Sequence, residues 1–305
     1  MASVINYQKH IKSPLNYIGG KQKILPQILP LFPNQINTFV DLFVGGGNVA
    51  VNVAATKVWA NDNLTFLIEM YKAFQQTRLL DTIQYVESQI HKYQLSLTNE
   101  EGYKELRRYY NQHKNPLDLF VLIAFSFNHQ IRFNNNHEFN NPFGRDRSCF
   151  NVTMKQNLQQ FINRIQSQLI EFTAQNFDKF DFAPLNSNDF VYCDPPYLIT
   201  SGTYNDGKRG FTGWSIHEEK HLLQILDGLD TRNIKFGLSN VLEHKGKTNE
   251  ILTFWLKNNP KYLVHFIRKD YANSNYQTIV RDKDASTEVL ITNYEPPKPQ
   301  INTLF

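Results

Sequence analysis

Residues 194–197, Asp-Pro-Pro-Tyr, place an acid, two rigid residues and an aromatic ring directly after the apolar run FVYC. Proline has no amide proton and fixes its own φ angle, so the pair ends a strand in a stiff, solvent-facing turn. The carboxylate of Asp194 and the carbonyl of Pro195 can each accept a hydrogen bond from one –NH₂ group, while Tyr197 can stack on the ring that carries it. The tetrapeptide predicts a site for a planar amine. The structural alternative is a rigid turn alone.

An amino group on an aromatic ring is a poor nucleophile because its lone pair is delocalised into the ring. Two acceptors that draw on its protons favour pyramidal geometry and free the lone pair for attack. The residues of the tetrapeptide therefore predict chemistry at an amino nitrogen, at the end of a strand where α/β sheets bind their ligands.

A second candidate site is the glycine-rich sequence FVGGG at residues 43–47, which follows a β-rich run and precedes the helix-compatible sequence NVAVNVAA. Glycines at a strand-to-helix turn let the backbone approach a nucleotide or nucleoside closely. Asp62 ends the next β-rich run, where an acid is placed to accept hydrogen bonds from ribose hydroxyls. The spacing is looser than the dinucleotide-binding fingerprint, so an ordinary tight turn is the alternative.

The sequence NYIGGKQK at residues 16–23 resembles a phosphate-binding loop only in its Gly-Gly-Lys. Leu15 stands where the leading glycine is required, Gln22 stands where a hydroxyl would bind magnesium, and no strand precedes the segment. We therefore exclude a phosphate-binding loop. Lys21 on a glycine-rich turn can still hold a carboxylate.

The sequence HEEKH at residues 217–221 matches a zinc-binding pattern, because histidines four residues apart share one helix face. The three intervening residues are polar, and no third ligand follows at a typical spacing. An apolar stripe already supplies a buried face, formed by Leu222, Ile225, Leu226 and Leu229. The pattern favours a solvated amphipathic helix over a metal site.

The elements that must position these motifs are short strands alternating with helices. The β-rich runs are residues 37–45, 57–62, 169–175, 189–194, 234–240, 262–269 and 287–294. The run at 189–194 has the apolar centre FVYC, as in strands covered on both faces, and helical patterns at 215–229 and 249–259 separate the later runs. The pattern predicts an open α/β sheet with ligands at the carboxyl ends of its strands.

The region between the second and third strands differs from this alternation. Residues 64–125 are helix-like, and residues 129–151, HQIRFNNNHEFNNPFGRDRSCFN, are rich in Asn, Arg and Phe. The latter stretch is either a surface loop or an inserted recognition element. We favour the insert, because long loops in compact domains are usually functional and the aromatic residues argue against disorder. The tail at residues 294–305 is interpreted as a loose end.

Composition narrows the class of protein. Hydrophobic residues make up 41% and charged residues 20% of the 305 residues, which is typical of a globular chain, and the formal charge of +4 is a weak indication of nucleic acid. Cys149 and Cys193 have neither metal-ligand nor disulfide spacing, which favours a reducing cytoplasm. The N-terminal sequence has no apolar signal region, and no window approaches 18 apolar residues, so we expect neither secretion nor a membrane span.

Taken together, the motifs resemble the alpha group of DNA adenine-N6 methyltransferases, the Dam-like enzymes. The resemblance rests on NYIGGK, DLFVGGG, ANDN, RFNNNHEFNNPFGR, DPPY and LSN, which occur in the family's order across almost the whole chain. It implies a Rossmann-like S-adenosylmethionine-dependent methyltransferase sheet formed by residues 1–63 and 166–305. Residues 64–165 would form an inserted, mainly helical target-recognition domain for double-stranded DNA.

The resemblance also implies residue roles. The residues assigned to the cofactor are Tyr17, Lys21, Asp41, Gly45, Gly47, Asp62, Asn176 and Asp194. Tyr17 and Lys21 would contact its methionine end and Asp62 its ribose. Asp194 and Pro195 would hold the target amine while Tyr197 stacks on a flipped-out adenine. The transfer is a direct in-line displacement without a metal.

The residues that the resemblance assigns to DNA are Arg132, Asn134, Asn140, Arg145 and Arg147. Two positions depart from the family pattern: Tyr17 replaces a common Trp, and Asn176 replaces the acid expected to meet the adenine amino group of the cofactor. The Tyr preserves an aromatic contact, whereas the role of Asn176 is left open.

Several alternatives stay open at this stage. The same core serves amino-methyltransferases that act on RNA or on protein glutamine, and a DNA-binding relative can keep the fold without catalysis. The long insert favours double-stranded DNA over the former, and the intact Asp194 and Tyr197 argue against the latter. By resemblance the chain is bacterial, phage or plasmid-borne, and a cognate restriction endonuclease that acts on the same site is compatible with it. The recognition sequence and the oligomeric state cannot be read from the residues.

Overall fold

The computed structural model describes residues 10–200, 214–268 and 286–297, and within these ranges eight strands form one mixed sheet. The strands are β1 Thr38–Asp41, β2 Lys57–Asn61, β3 Ile170–Thr173, β4 Phe190–Cys193, β5 Lys235–His244, β6 Lys247–Thr248, β7 Leu263–Ile267 and β8 Ser286–Thr292. Their order is β3-β2-β1-β4-β5-β8-β7, with β6 paired to the end of β5. The first five strands of that order are parallel, and β8 and β7 add antiparallel pairs.

The order of the strands fixes the position of the ligand crevice. The chain leaves β1 for β2 and β3 on one side, then returns to β4 and β5 on the other side. The reversal between β1 and β4 is a topological switch point, where the loops beyond the strand ends diverge and open a crevice. The motifs that follow β1, β2 and β4 therefore meet at one place.

Eight α-helices surround the sheet in the described ranges. They are α1 Leu25–Ile28, α2 Thr65–Gln76, α3 Leu79–Lys92, α4 Glu100–His113, α5 Pro116–Phe125, α6 Val152–Ser167, α7 Ile216–Thr231 and α8 Glu250–Asn258. Several begin at side-chain caps, as the sequence dictates: Asn99, Asn115, Asn151 and Asn249 accept from backbone amides of the first turn. Helix α7 begins with a capping box formed by Ser215 and Glu218. None of the helices described is long and apolar enough to cross a membrane.

Alternate residues of the central strands enter two separate cores. In β4, Phe190 and Tyr192 belong to one core and Val191 and Cys193 to the other, as the period of two requires. The first core also contains the apolar residues of α2 to α6, including the completely buried Phe120. Helices α7 and α8 cover the opposite face. The long region between β2 and β3 thus shares its core with one face of the sheet.

The predicted strands are all present, with small differences at their ends. Strand β5 extends to His244, four residues beyond the predicted run, because β8 and the short β6 pair with it there. The last residue of the predicted run at 262–269 and the last residues of the tail, 298–305, lie outside the described residues.

One local prediction is wrong, and a second holds except at one residue. Residues 48–52 form turns and not a helix, because the side chains of Asn48 and Asn52 bind the backbone of Ser13 and Ile11. The HEEKH sequence does lie in an amphipathic helix that buries Leu222, Leu226 and Leu229, but Glu219 within it is only 1% exposed. The buried carboxylate of Glu219 accepts hydrogen bonds from the side chains of Trp214, Asn240 and Asn249.

Candidate active site

A pocket opens at the carboxyl ends of β1, β2 and β4, where the chain places three acids. Asp41 is the last residue of β1, Asp62 follows β2 and Asp194 follows β4. The cavity measures about 250 Å³. It is lined by Tyr17, Ile18, Gly19, Gly20, Lys21, Asp41, Leu42, Phe43, Val44, Gly45, Gly46, Asn48, Val49, Asn61, Asp62, Asn63, Gln175, Asn176, Phe177, Tyr192, Asp194, Pro195, Pro196, Tyr197, Trp214 and Glu218. The motifs from both halves of the sequence therefore share one site.

The glycine turn after β1 forms the floor of this pocket. Gly45 and Gly47 have φ angles of +45° and +75°, which side chains with a Cβ rarely adopt. A Cβ on Gly45 would also lie 2.9 Å from the ring of Tyr17. Asp62 holds the turn: Oδ2 accepts from the Gly45 amide at 2.9 Å, and Oδ1 accepts from the Leu64 amide at 3.0 Å. Asp62 thus shapes the turn as well as lining the pocket.

Asp41 is a buried acceptor that points to a cationic ligand. Its side chain is 1% exposed, and Oδ1 has no hydrogen-bond partner among the described residues. Burial, followed by repulsion from Asp194 and Asp62, raises the pKa of Asp41 well above the ordinary value of 3.8. A backbone hydrogen bond from Ala50 offsets part of this shift in the pKa, but a buried carboxyl oxygen without a partner is costly unless a ligand donor reaches it. A ligand with an ammonium group beside the glycine turn fits this arrangement.

The Asp-Pro-Pro-Tyr turn is held by a network of charges. The Lys21 ammonium lies 2.6 Å from Oδ1 of Asp194, donates to the carbonyl of Gly19 at 2.9 Å and is 3.9 Å from Oε1 of Glu288. The Tyr197 hydroxyl donates to Oδ1 of Asp194 at 3.1 Å and to Oε1 of Glu288 at 3.2 Å. The carboxylate of Asp194 is therefore fixed in position, and Lys21 joins the Asp-Pro-Pro-Tyr turn to the backbone of Gly19.

An aromatic wall closes the other end of the pocket. It consists of Phe43, Phe177 and Trp214, whose ring centroids lie 5.3 to 5.6 Å apart. Asn176 lies beside it and lines the pocket, and its Oδ1 accepts from the Phe177 amide at 3.0 Å. That bond positions the asparagine at the start of a short 3₁₀ turn.

The residues predicted to contact DNA lie outside the pocket lining. Arg145 pairs with Glu100 at 2.8 Å, and the guanidinium of Arg147 lies 5.0 Å from the ring centroid of Phe127. Asn134 donates to Glu138 at 2.8 Å. The backbone amide of Asn140 donates to the carbonyl of Arg132 at 3.0 Å. All five belong to one folded segment, residues 127–150.

Two buried rings organise that segment. Phe133 and Phe139 are each 1% exposed, pair across an isolated β-bridge and pack edge to face at 5.6 Å. Phe133 also stacks on Phe66 of α2 at 4.5 Å. The segment therefore packs on the helical core through Phe133 and Phe139, and this packing holds the backbone of its Asn and Arg residues in place.

Sequence reasoning missed three residues that build the site: Glu219, Glu288 and Trp214. Glu288 is 1% exposed and directly precedes the apolar residues Val289, Leu290 and Ile291 of β8. An acid inside a buried strand was a usable signal, because such a charge needs partners. For Trp214 the sequence carries no comparable signal, since an aromatic residue before a helix is most often part of the core.

Comparisons with known proteins agree with this site. The chain is 51% identical over 285 residues to the type II methyltransferase M.FokI of Planomicrobium okeanokoites, covering 93% of the chain and 43% of that protein. It is 51% identical over 295 residues to the modification methylase StsI of Streptococcus sanguinis, covering 96% of the chain and 44% of that protein. The DNA adenine methylase of Escherichia coli (strain K12) is 28% identical over 232 residues, with coverage of 74% and 79%.

The chain thus spans less than half the length of the first two relatives. A family model, described as D12 class N6 adenine-specific DNA methyltransferase, matches residues 17–288. That range contains the glycine turn, the Asp-Pro-Pro-Tyr turn and the buried Glu288. The chain belongs to the D12 class of N6 adenine-specific DNA methyltransferases.

Proposed function

We propose that the chain transfers a methyl group from S-adenosylmethionine to the N6 amino group of adenine in double-stranded DNA. The observation that carries the proposal is the shared pocket. In a chain of this family, one cavity joins the Asp-Pro-Pro-Tyr turn to a carboxyl oxygen of Asp41 that has no partner in the described part of the chain. The first is an acceptor for a cationic cofactor, and the second is an acceptor site for an amine.

The cofactor side of the pocket is assigned as follows. Asp41 accepts from the ammonium of the methionine end, and Tyr17 packs over the glycine turn, where a Cβ on Gly46 would lie 2.9 Å from Cβ of Tyr17. Asp62 lies where the ribose hydroxyls would bind, and Asn176 lies beside the aromatic wall that would hold the adenine. When bound, S-adenosylmethionine supplies a sulfonium-activated methyl group that an amine attacks directly.

The target side of the pocket is assigned to the rigid turn. Asp194 and the Pro195 carbonyl accept from the two N6 protons, and the Tyr197 ring stacks on the flipped-out base. The acid is only 18% exposed and is already fixed by Lys21 and Tyr197, so little reorganisation is required when the base enters. Preorganised acceptors of this kind favour the transition state over the planar ground-state amine.

A parallel assay tests the proposal. The chain is incubated with methyl-labelled S-adenosylmethionine and, separately, with double-stranded DNA, RNA and a protein extract. We expect label in DNA alone, at N6 of adenine within a short sequence. Label in RNA or in protein glutamine would assign the chain to another substrate class, and absence of label with intact DNA binding would indicate a non-catalytic relative.

We further propose that the DNA-recognition insert is residues 64–165, between the catalytic segments 1–63 and 166–305. Helices α2 and α6 of this region share a core with the sheet. We therefore assign DNA recognition within the insert mainly to residues 127–150. That segment carries exposed arginines and asparagines on the buried Phe133 and Phe139 pair. Arginine suits phosphate and guanine, and asparagine suits adenine edges.

Replacing Arg147 by alanine is expected to weaken DNA binding equally on all sequences. A lost phosphate contact lowers the slope of log K against log salt by about 1. Titrations at several salt concentrations measure this slope. The control is Arg78→Ala, which removes an exposed arginine paired with Asp81 at the start of α3 and should leave the slope unchanged. An unchanged slope in the Arg147 variant would remove that residue from the proposed DNA contact.

We also propose in which cells the chain acts and which enzyme it is paired with. The relatives named above include a modification methylase and a type II methyltransferase from bacteria. We infer that this chain acts in a bacterial cytoplasm, or on phage or plasmid DNA there. A restriction endonuclease of the same specificity would be its functional partner without direct contact.

A further inference from the structure

One buried carboxylate near the pocket has no role in the assignments above. Glu219, on the first turn of α7, is 1% exposed, and both of its oxygens accept hydrogen bonds. Oε2 accepts from Nε1 of Trp214 at 2.6 Å, and Oε1 accepts from the side-chain amides of Asn240 at 3.0 Å and Asn249 at 3.1 Å. Within the described residues these donors are all neutral, so the carboxylate is held by geometry and not by an ion pair.

The bond to Trp214 connects Glu219 to the aromatic wall. Trp214 lines the pocket and packs on Phe177 at 5.3 Å and edge to face on Phe43 at 5.6 Å. The plane of an indole can turn about the Cβ–Cγ bond unless its N–H is anchored. The short, charge-assisted bond to Glu219 fixes the plane and depth of that ring.

The other two donors anchor Glu219 itself. Asn240 lies in β5, and its Oδ1 accepts from the amide of Val241 at 2.8 Å. Asn249 is the N-cap of α8 and accepts from the amide of Leu252 at 3.1 Å. The carboxylate of Glu219 thus connects Trp214, which lines the pocket, to β5 of the sheet and to helices α7 and α8.

We propose that Glu219 is a positioning residue for cofactor binding: it orients Trp214 so that the aromatic wall accepts the adenine end of S-adenosylmethionine. The inference rests on the proposed function, because it names the ligand of that same pocket. Glu219 does not line the pocket, so its effect on the ligand passes through Trp214.

Replacing Glu219 by glutamine tests this role. Glutamine keeps the shape but has a single acceptor oxygen. That oxygen keeps more hydrogen bonds when it faces the two asparagine amides, so the –NH₂ group lies against the N–H of Trp214 and breaks that bond. We expect the Kd of S-adenosylhomocysteine, measured by calorimetry, and the KM of S-adenosylmethionine to rise together by about 10-fold, as for loss of a hydrogen bond to a charged group. The kcat should stay within about twofold, because binding alone is affected.

Trp255→Phe is the matched control. It removes another indole-to-carboxylate bond, from Nε1 of Trp255 in α8 to Oδ1 of Asp227 at 3.0 Å, and neither residue lines the pocket. This variant should melt at a lower temperature while its Kd for S-adenosylhomocysteine stays within about twofold of the wild type, since the Trp214 bond remains. A rise in Kd equal to that of Glu219→Gln would show that Glu219 acts only by stabilising the fold, and would overturn the proposal.

A double-mutant cycle separates the route through Trp214 from other routes. Trp214→Phe keeps an aromatic ring but removes the N–H donor. In that background Glu219→Gln should change the Kd by less than about twofold, because the bond that it breaks is already absent. Independent, additive effects would overturn the proposal. If Glu219→Gln does not fold, the Trp214→Phe variant alone tests the proposal. A Kd for S-adenosylhomocysteine equal to that of the wild type would show that the Trp214 N–H bond does not matter for binding.

The outcomes distinguish the two proposals. A wild-type chain that does not bind S-adenosylhomocysteine at all contradicts the proposed function. A wild-type chain that binds it and methylates DNA, with an unaltered Glu219→Gln variant, contradicts only the role of Glu219.

Discussion

Asp194→Asn is expected to lower the kcat of DNA methylation by about 10³-fold, the upper end of the usual loss when one preorganised polar group is removed from an active site. The variant keeps the shape of the side chain but presents an –NH₂ group or a weaker acceptor to the target amine. It also takes the counter-charge away from Lys21, whose ammonium lies 2.6 Å from Oδ1 of Asp194. Single-turnover methylation with labelled cofactor measures the loss, while titrations with S-adenosylhomocysteine and with DNA should change by less than about threefold.

The matched control for that variant lies at the other end of the same strand. Asp189 precedes β4 and is 2% exposed, and it accepts from the amides of Thr38 at 2.8 Å and Asn186 at 2.8 Å. Asp189→Asn should therefore lower the melting temperature and leave kcat close to the wild-type value. If Asp194→Asn keeps more than about a tenth of the wild-type kcat, the carboxylate does not hold the reacting amine.

The sequence predicts the sheet well because its strands are short, β-rich runs separated by clear helical patterns. Once β1, β2 and β4 are placed in a parallel sheet, their carboxyl ends must meet, so the three acids Asp41, Asp62 and Asp194 converge without further information. The glycine turn is equally predictable, since the positive φ angles of Gly45 and Gly47 are conformations that glycine supplies.

Hydrogen bonds between side chains that are distant in the sequence cannot be predicted in the same way. Tyr197 and Glu288 are 91 residues apart, and nothing near either residue indicates the bond between their side chains. Glu219 shows the same limit. Its neighbours are polar, and its burial depends on donors from β5, from the start of α8 and from Trp214. Periodicity predicts which face of an element is buried, whereas the partner of a buried charge is decided by tertiary packing.

Asp41→Asn is expected to weaken cofactor binding strongly. It should also remove the part of the pH dependence of binding that Asp41 causes. Because the pKa of Asp41 is raised, lowering the pH neutralises this acid before an ordinary carboxyl, and wild-type binding of S-adenosylhomocysteine should weaken as the pH falls through the raised pKa. At neutral pH the variant should bind about 100-fold more weakly, as for one partner lost from a buried charge pair. Asp62, whose pKa burial also raises, titrates in both proteins, so the comparison is the difference between their calorimetric pH profiles.

The same substitution should stabilise the ligand-free chain. A raised pKa means that the folded state holds its proton more tightly, so stability falls as the pH rises from the ordinary value of 3.8 through the raised pKa. Asparagine avoids that penalty. We expect a gain of about 1 to 3 kcal/mol in the free energy of unfolding at neutral pH, with none below the unfolded pKa.

Asp118→Asn is the matched control. Burial raises the pKa of Asp118, its Oδ2 also has no partner among the described residues, and it lies in α5 outside the pocket lining. That variant should gain stability without any change in ligand affinity. Wild-type affinity in Asp41→Asn would disprove the assignment of Asp41 to the cofactor.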